Sequence, residues 1–252
     1  MHTGASAPTW DGMTASALAR SLNVPRLELR AEVESTQDIA HALAEQEAPH
    51  GILVLADAQR SGRGRMGRSW ASEPGNGVWC TMVARPTDPR GVDVLSIRLG
   101  LGIAEELDTL ARPEGIRLKW PNDLLLNGGK LGGILIEARW SGSTLSWVAI
   151  GIGINVRAPD VPRAAGFGPD VQRRDVLAGV VRAAQAATSA TGWLTPDELR
   201  RYRSRDALAG REIVEPGRGQ VTGIAESGAL LVETRQGRQE YRAGTIRYAE
   251  DA

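Results

Sequence analysis

The sequence predicts an α/β (α+β) domain followed by a small all-β module. Short apolar runs broken by Gly, Pro and Asn alternate with stretches of helical spacing as far as residue 208. An Asn127-Gly128 pair sits between two apolar runs, a strong signal for a tight hairpin. From residue 209 the helical spacing disappears and five short strand-like runs follow with Gly-bearing turns. The expected division is therefore 1–208 and 209–252.

The elements follow in order. Residues 1–14 are small and polar, with neither a basic n-region nor an apolar h-region, so no secretory leader is expected. Residues 14–22 predict a short helix ended near Pro25, and Leu27–Val33 predicts a strand. Ser35 or Thr36 is a good N-cap for a helix running to about Glu47. Residues 51–56 and 78–84 read as strands on either side of a Gly/Arg loop. Residues 94–112 carry Leu95, Leu99, Ile103 and Leu107 on one helical face. Residues 116–120 and 123–126 are short strands split by Pro121, and 130–138 should return antiparallel after the hairpin turn. A strand at 146–155, a Pro/Gly-rich loop at 157–172 and helices at 173–188 and 195–207 complete the larger domain. The tail strands are expected at 213–215, 220–225, 229–233, 239–242 and 245–248, a pattern that fits a small barrel.

Composition narrows the function. The 252 residues carry 30 basic and 30 acidic side chains, a balance that weighs against nucleic acid as the partner. Cys80 is the sole cysteine, so no internal disulfide can form, which fits a reducing compartment. No apolar run approaches membrane-span length, and a cytoplasmic location is expected. Only Lys119 and Lys130 among the basic residues are lysines. Where Arg has replaced Lys elsewhere, a surviving Lys marks a place for a compact ammonium rather than a flat fork.

Four segments carry chemistry. The first, 61–70, is Ser-Gly-Arg-Gly-Arg-Met-Gly-Arg-Ser-Trp. It fits G-x-G-x-x-G and nearly fits a P-loop, but both motifs need a helix straight after the loop, and 70–77 is a poor helix. What remains is a mobile glycine loop whose Arg63, Arg65 and Arg68 can fold over phosphate or carboxylate; the bland alternative is an exposed basic turn. The second is Lys119-Trp120-Pro121-Asn122-Asp123, leading to Lys130, where Gly132 and Gly133 strip the strand beside the ammonium. Asp123 is placed to help hold a metal–phosphate group, or else simply closes a turn. The third, Gly151-Ile152-Gly153-Ile154-Asn155, bares one strand face and reads as a bulge or a ligand floor. The fourth, Val33 to Asp38, is a helix cap whose hydroxyls and N–H groups could hold a polar ligand group. No Ser/His/Asp or Cys/His constellation is evident.

Taken together and in order, these segments resemble biotin–protein ligases (biotin–[acetyl-CoA-carboxylase] ligases) of the type without an N-terminal DNA-binding domain. Residues 62–70 are similar to the family's GRGRxGRxW, 119–123 to KWPND, 130–135 to KxxGIL and 151–155 to GxGxN. The resemblance is strong over about 32–155. It implies a class II synthetase-like domain with a mixed, largely antiparallel sheet, plus a C-terminal SH3-like barrel. It also implies two steps: biotin and Mg·ATP give biotinyl-5′-AMP, and biotin then passes to a lysine of a biotin carboxyl carrier domain of a carboxylase.

By motif position, Ser35, Thr36, Gln37, Gln59, Arg63, Gly64, Arg65, Lys130 and Gly133 are implied biotin contacts. Arg65, Arg68, Trp70, Asn122, Asp123, Lys130 and Asn155 are implied ATP or adenylate contacts. Lys130, Arg63, Arg65 and Asp123 are the implied catalytic residues, with Asp123 near Mg²⁺. Gln37 stands where the family usually has Asn, and Glu34 where a short residue is common. No membrane or nucleic-acid partner is expected, no repressor role is expected, and the assembly is a monomer or a homodimer. A lipoate–protein ligase shares the fold, but the Gly/Arg loop differs from its signature. An RNA-binding module is the reading from another class.

Overall fold

The computed structural model describes residues 8–251; the expectation that the chain opens without a leader falls partly on residues outside them. A hairpin of β1 (Thr9–Trp10) and β2 (Met13–Thr14) precedes α1 (Ala15–Ser21), which is capped by the Thr14 hydroxyl. Then come β3 (Leu27–Val33), α2 (Thr36–Glu45), β4 (Leu53–Gln59) and β5 (Gly77–Ala84). The short α3 (Pro89–Asp93) and α4 (Leu95–Leu107) lead to β6 (Arg117–Lys119), β7 (Asp123–Leu126), β8 (Gly129–Ser141) and β9 (Thr144–Asn155). Two helices follow, α5 (Arg173–Ser189) and α6 (Pro196–Arg205).

Seven strands form one sheet in the order β3-β4-β5-β9-β8-β7-β6. Only β3 and β4 pair in parallel; the other five pairings are antiparallel, so the sheet is mixed and largely antiparallel. The two-residue period of β9 explains its layers. Ile150, Ile152 and Ile154 join the main core with Leu99 and Ile103 of α4 and with Val176 and Val180 of α5. Ala149, on the other side, belongs to a smaller cluster with Ala40 and Ala44 of α2. The N-terminus of α2 therefore stands on the sheet face opposite α4 and α5.

The tail forms a second antiparallel sheet: β10 (Glu212–Glu215), β11 (Gly219–Ile224), β12 (Leu230–Thr234), β13 (Gly237–Tyr241) and β14 (Arg247–Tyr248), in the order β13-β12-β11-β10-β14. Its Ile213, Val221, Leu230 and Val232 run on into the main core. Trp120 Nε1 donates to Gly228 O at 2.9 Å and ties the two sheets together.

Two helices end earlier than expected, two strands run longer (Leu53–Gln59 and Gly129–Ser141), and two short elements were not expected. The helix expected to reach residue 112 stops at Leu107 and tightens into a 3₁₀ turn, Asp108–Leu110, before Pro113, since the residue ahead of a proline is steered away from helix. The helix expected to reach 207 ends at Arg205, because Asp206 turns extended and its carboxylate accepts from Leu208 N at 2.8 Å. The β1–β2 hairpin and α3 were not expected; both are too short to leave a periodic signal. Among the described residues no helix is long and apolar enough to cross a membrane.

Candidate active site

The sequence alternation of β8 is broken once, and that break builds the site. Leu124 pairs with Gly132 but Leu125 pairs with Lys130, so Leu131 is an extra residue in a bulge. Without it Lys130 and Gly133, three apart, would face opposite sides of the sheet. With it they share a face: a Cβ at Gly133 would stand 3.6 Å from Lys130 Cε. Register then lays a row across the sheet, Lys119–Asp123–Gly133–Gly153–Trp79.

The two glycines leave a gap in that row, and Trp70 fills it. A Cβ at Gly153 would be 2.5 Å from Trp70 Nε1. The indole meets Trp79 edge-on at 6.4 Å between centroids, and Lys130 Nζ sits 5.2 Å over its ring. Two residues along β9, Gly151 leaves room for the Gln37 amide, whose carbon would be 3.1 Å from a Cβ there. The bare strand face read from the sequence is thus a seat for two side chains that themselves border the cavity.

That cavity has a volume of about 190 Å³. Its mouth is cationic: Arg63, Arg65, Arg68, Lys119 and Lys130 line it, against one carboxylate, Asp123. Lys130 Nζ pairs with Asp123 Oδ1 at 2.7 Å. Arg65 reaches Asn122 Oδ1 at 3.5 Å, and Asn122 Nδ2 donates to Ile134 O at 2.7 Å. Burial holds the Arg65 guanidinium below its ordinary pKa; Asp123 pulls it back up and Arg68 adds to the lowering. This is the environment of a cation that gains from an added anion.

The loop that carries these arginines makes a compact turn. Arg63 and Ser69 bridge, Gly64 N donates to Arg68 O at 2.7 Å, and Met66 takes a left-handed conformation at φ 58°. A 3₁₀ turn, Arg65–Gly67, is the only helical element in it, and β5 follows rather than a helix. Both nucleotide-loop motifs therefore fail for the reason read from the sequence. Arg63 pairs with Asp38 at 2.7 Å. Arg68 donates to Thr245 Oγ1 at 3.4 Å, so Gly244, Thr245 and Ile246, in the loop between β13 and β14, close one wall of the cavity.

The inner end is polar and uncharged. Ser35 caps α2, with Gln37 N donating to its Oγ at 3.3 Å. Gln59 Oε1 accepts from Thr36 N (2.9 Å) and Thr36 Oγ1 (3.1 Å), its Nε2 donates to Ser72 Oγ (2.8 Å), and Thr81 donates to Thr36 Oγ1 (2.8 Å). Cys80 also borders the cavity, but burial pushes its thiol up to about 12, so no thiolate nucleophile is present at neutral pH. Three polar atoms in or beside this site are buried with no hydrogen-bond partner: Gln37 Oε1, Trp70 Nε1 and Asn155 Oδ1. Buried polar atoms rarely go unpaired, so such atoms mark where a ligand or water would bond.

Every residue given a catalytic, biotin or nucleotide role from the sequence lines this cavity except Asn155, whereas Gly132, read as baring the strand beside Lys130, faces Ile154 instead. Asn155 is buried under Lys130, and its Nδ2 donates to Lys130 O (3.3 Å) and Ala165 O (3.0 Å). The loop at 163–165 completes that support: Lys130 N donates to Arg163 O at 2.7 Å. Sequence reading missed Thr245, for which no signal exists, and Glu137 and His41. His41 lies four residues after Gln37 on α2, a spacing that puts both on one face and could have flagged it.

The family described as "Biotin/lipoate A/B protein ligase family" matches residues 30–155, which is half of the chain. A biotin–[acetyl-CoA-carboxylase] ligase of Paracoccus denitrificans is 34% identical over 217 residues, covering 77% of this chain and 88% of that protein. The chain belongs to the biotin/lipoate A/B protein ligase family. Within the family, a bifunctional ligase/repressor of Bacillus subtilis is 44% identical over 127 residues; this chain spans only 38% of that relative's length. The solved biotin protein ligase from Aquifex aeolicus in complex with biotin and ATP superposes with a TM-score of 0.73 at 27% identity, covering 89% of this chain and all of that one. The matched segment contains the Gly/Arg loop, the Lys119–Asp123 stretch, Lys130 and the β9 glycines, so the family match and the cavity coincide.

Proposed function

We propose that this protein activates biotin with ATP as biotinyl-5′-AMP and transfers the biotinyl group to a lysine of a biotin carboxyl carrier domain. One observation carries the reading: five cations converge at the mouth of a cavity whose inner end is neutral and polar. Such a cavity takes a ligand with an uncharged polar headgroup inside and an anion at its tail. Its five cations also supply charge for a second, phosphate-bearing anion beside the first.

Each chemical role follows from position. In the first step a biotin carboxylate oxygen bonds to the α-phosphorus, and the bond from that phosphorus to the bridging oxygen breaks, releasing pyrophosphate. Two anions must meet, so positive charge and exclusion of water dominate the barrier. Lys130, held between Asp123 and the Trp70 ring, supplies a compact ammonium at that junction. Arg63, Arg65 and Arg68 close over the phosphates, with Gly64 admitting close approach of the backbone. Trp70 borders the nucleotide side, and Asn155 supports Lys130 from beneath through its bond to Lys130 O.

Ser35, Thr36, Gln37 and Gln59 hold the headgroup, and Gly133 leaves the floor open. In the second step a carrier lysine amine attacks the acyl carbon, AMP departs and the amine loses a proton. No enzyme nucleophile is required in either step.

Asp123 and Asn122 present hard oxygen donors beside the cations, a set that fits Mg²⁺ arriving on ATP, since this ion commonly uses one or two carboxylates together with phosphate oxygens. Bound there, Mg²⁺ would neutralise phosphate charge. Among the described residues no group of three or more His, Cys, Asp or Glu could hold a metal by itself.

Residues 1–208 act as the catalytic domain in this reading. Residues 209–252 close as an SH3-like barrel that lends Thr245 to the loop's docking wall. The protein works in the cytoplasm on small molecules and a carrier domain, as monomer or homodimer, without nucleic acid. The test is biotin-dependent exchange between ATP and pyrophosphate, followed by biotin transfer to a carrier domain; exchange that depends on lipoate instead would overturn the substrate assignment.

A further inference from the structure

Gln37 presents a buried acceptor at the inner end whose sense is fixed and which has no partner. Gln59 has its oxygen taken by Thr36 and gives one of its two N–H groups to Ser72, so only a donor of it remains. The Gln37 amide, 3% exposed, donates from Nε2 to Glu137 Oε2 at 3.1 Å, while its Oε1 is buried with no partner. The amide lies over Gly151, on the cavity wall. A carboxylate oxygen only accepts, so the amide must turn its NH₂ to Glu137, which leaves its carbonyl oxygen without a partner in a residue that borders the cavity.

Glu137 is itself braced. Trp147 Nε1, which can only donate, bonds to His41 Nδ1 at 3.1 Å. That leaves the imidazole hydrogen on Nε2, which donates to the same Glu137 oxygen at 2.9 Å. Register explains the meeting: Glu137 pairs with Ala149 on the sheet face that carries α2, and Trp147 lies two residues before Ala149. Ser35 complements the acceptor. Its oxygen already takes Gln37 N, so its hydroxyl hydrogen remains to be given.

We propose that Glu137, braced by His41 and Trp147, is a positioning residue that locks Gln37 as an acceptor, so that the cavity selects a headgroup that donates an N–H. This rests on the biotin reading and deepens it. A cyclic urea offers an N–H to Gln37 and a carbonyl to Ser35. A dithiolane ring offers neither and would leave Gln37 Oε1 buried and unpaired.

The test measures calorimetric affinity of the full chain for biotin and for its two analogues in which one or the other ureido N–H is replaced by oxygen. Wild type is expected to lose about tenfold or more with one of the two analogues, the penalty of a buried acceptor left unmet. Glu137→Leu, which frees the amide to turn over, should weaken biotin by about tenfold and shrink the analogue's penalty to about threefold or less. Glu137→Gln keeps an oxygen for both donors and should restore affinity and discrimination.

Glu137 also stands 3.8 Å from Arg63, so His41→Leu loosens the brace from a side that does not touch the loop. It should raise the KM for biotin and leave kcat and the KM for ATP unchanged. Equal affinity of wild type for biotin and both oxygen analogues overturns the proposal, whether or not the Leu variants fold. So does a Glu137→Leu protein that keeps wild-type affinity and penalty. Failure of wild type to bind biotin at all overturns the biotin reading, and this inference with it.

Discussion

Replacing Gly153 with alanine puts a methyl where the Trp70 indole already lies. The new Cβ would stand 2.5 Å from Nε1 and 2.7 Å from Cε2, both below any ordinary contact. Neither side can yield cheaply. Gly153 is fixed by pairing to both β5 and β8, and the rigid indole is held against Trp79 and under Lys130. Forcing a methyl into a packed site costs about 1–3 kcal/mol. At about 2–4 °C per kcal/mol for a protein of this size, Tm should fall by about 2–12 °C. Gly133→Ala is the matched control, one strand over in the same row. Its Cβ would meet Trp70 Cζ3 at 3.5 Å, an ordinary contact. The smaller backbone entropy of alanine in the unfolded chain should stabilise that variant by about 0.4–1 kcal/mol. Thermal unfolding of both variants measures the stability, and biotin-dependent exchange measures whether Trp70 and Lys130 remain aligned. Equal Tm values for the two variants, with exchange intact in Gly153→Ala, would refute the seating of Trp70 on Gly153.

Three further outcomes are expected. Lys130→Arg should cut adenylate formation by about tenfold or more while Tm holds, because a flat fork replaces a compact ammonium; near-wild-type exchange would dispose of the argument from the two surviving lysines. Limited trypsin digestion of the ligand-free chain should cut between Arg63 and Arg68, and biotin with ATP should protect that segment; unchanged cleavage would count against loop closure. Glu198 is paired with buried Arg98 at 2.6 Å. Burial alone would raise its carboxyl, but bonds from Arg98 and Thr195 outweigh that and hold it below the ordinary value of 4.5. A depressed native pKa adds stability above the unfolded value, and that stability is lost as pH falls below about 4.5. Denaturant titrations should show the loss in wild type. Glu198→Gln should show less of it while costing about 3–5 kcal/mol at neutral pH for the stranded Arg98.

The elements that position the site were legible where a local rule sets them. Ser35 as N-cap, the Asn127-Gly128 hairpin and the failed helix after the Gly/Arg loop all follow from chemistry within a few residues. The cation cluster was legible too, since the arginines crowd one loop and the lysines stand out by rarity. What was hidden depends on register. The bulge at Leu131, which brings Lys130 to the face of Gly133, leaves no mark in the composition of β8. The sequence shows bare glycines at 151 and 153, but only packing shows that Gln37 and Trp70 occupy them. Thr245 reaches the loop from 177 residues away, and nothing near Arg68 in the chain announces it.

The measurement closest to the central claim is ATP–pyrophosphate exchange by the purified full chain, with biotin, with lipoate and with neither. Exchange is expected with biotin alone, and it is expected to be lost on Lys130→Arg. Exchange that runs without biotin, runs on lipoate, or survives that substitution unchanged would contradict it.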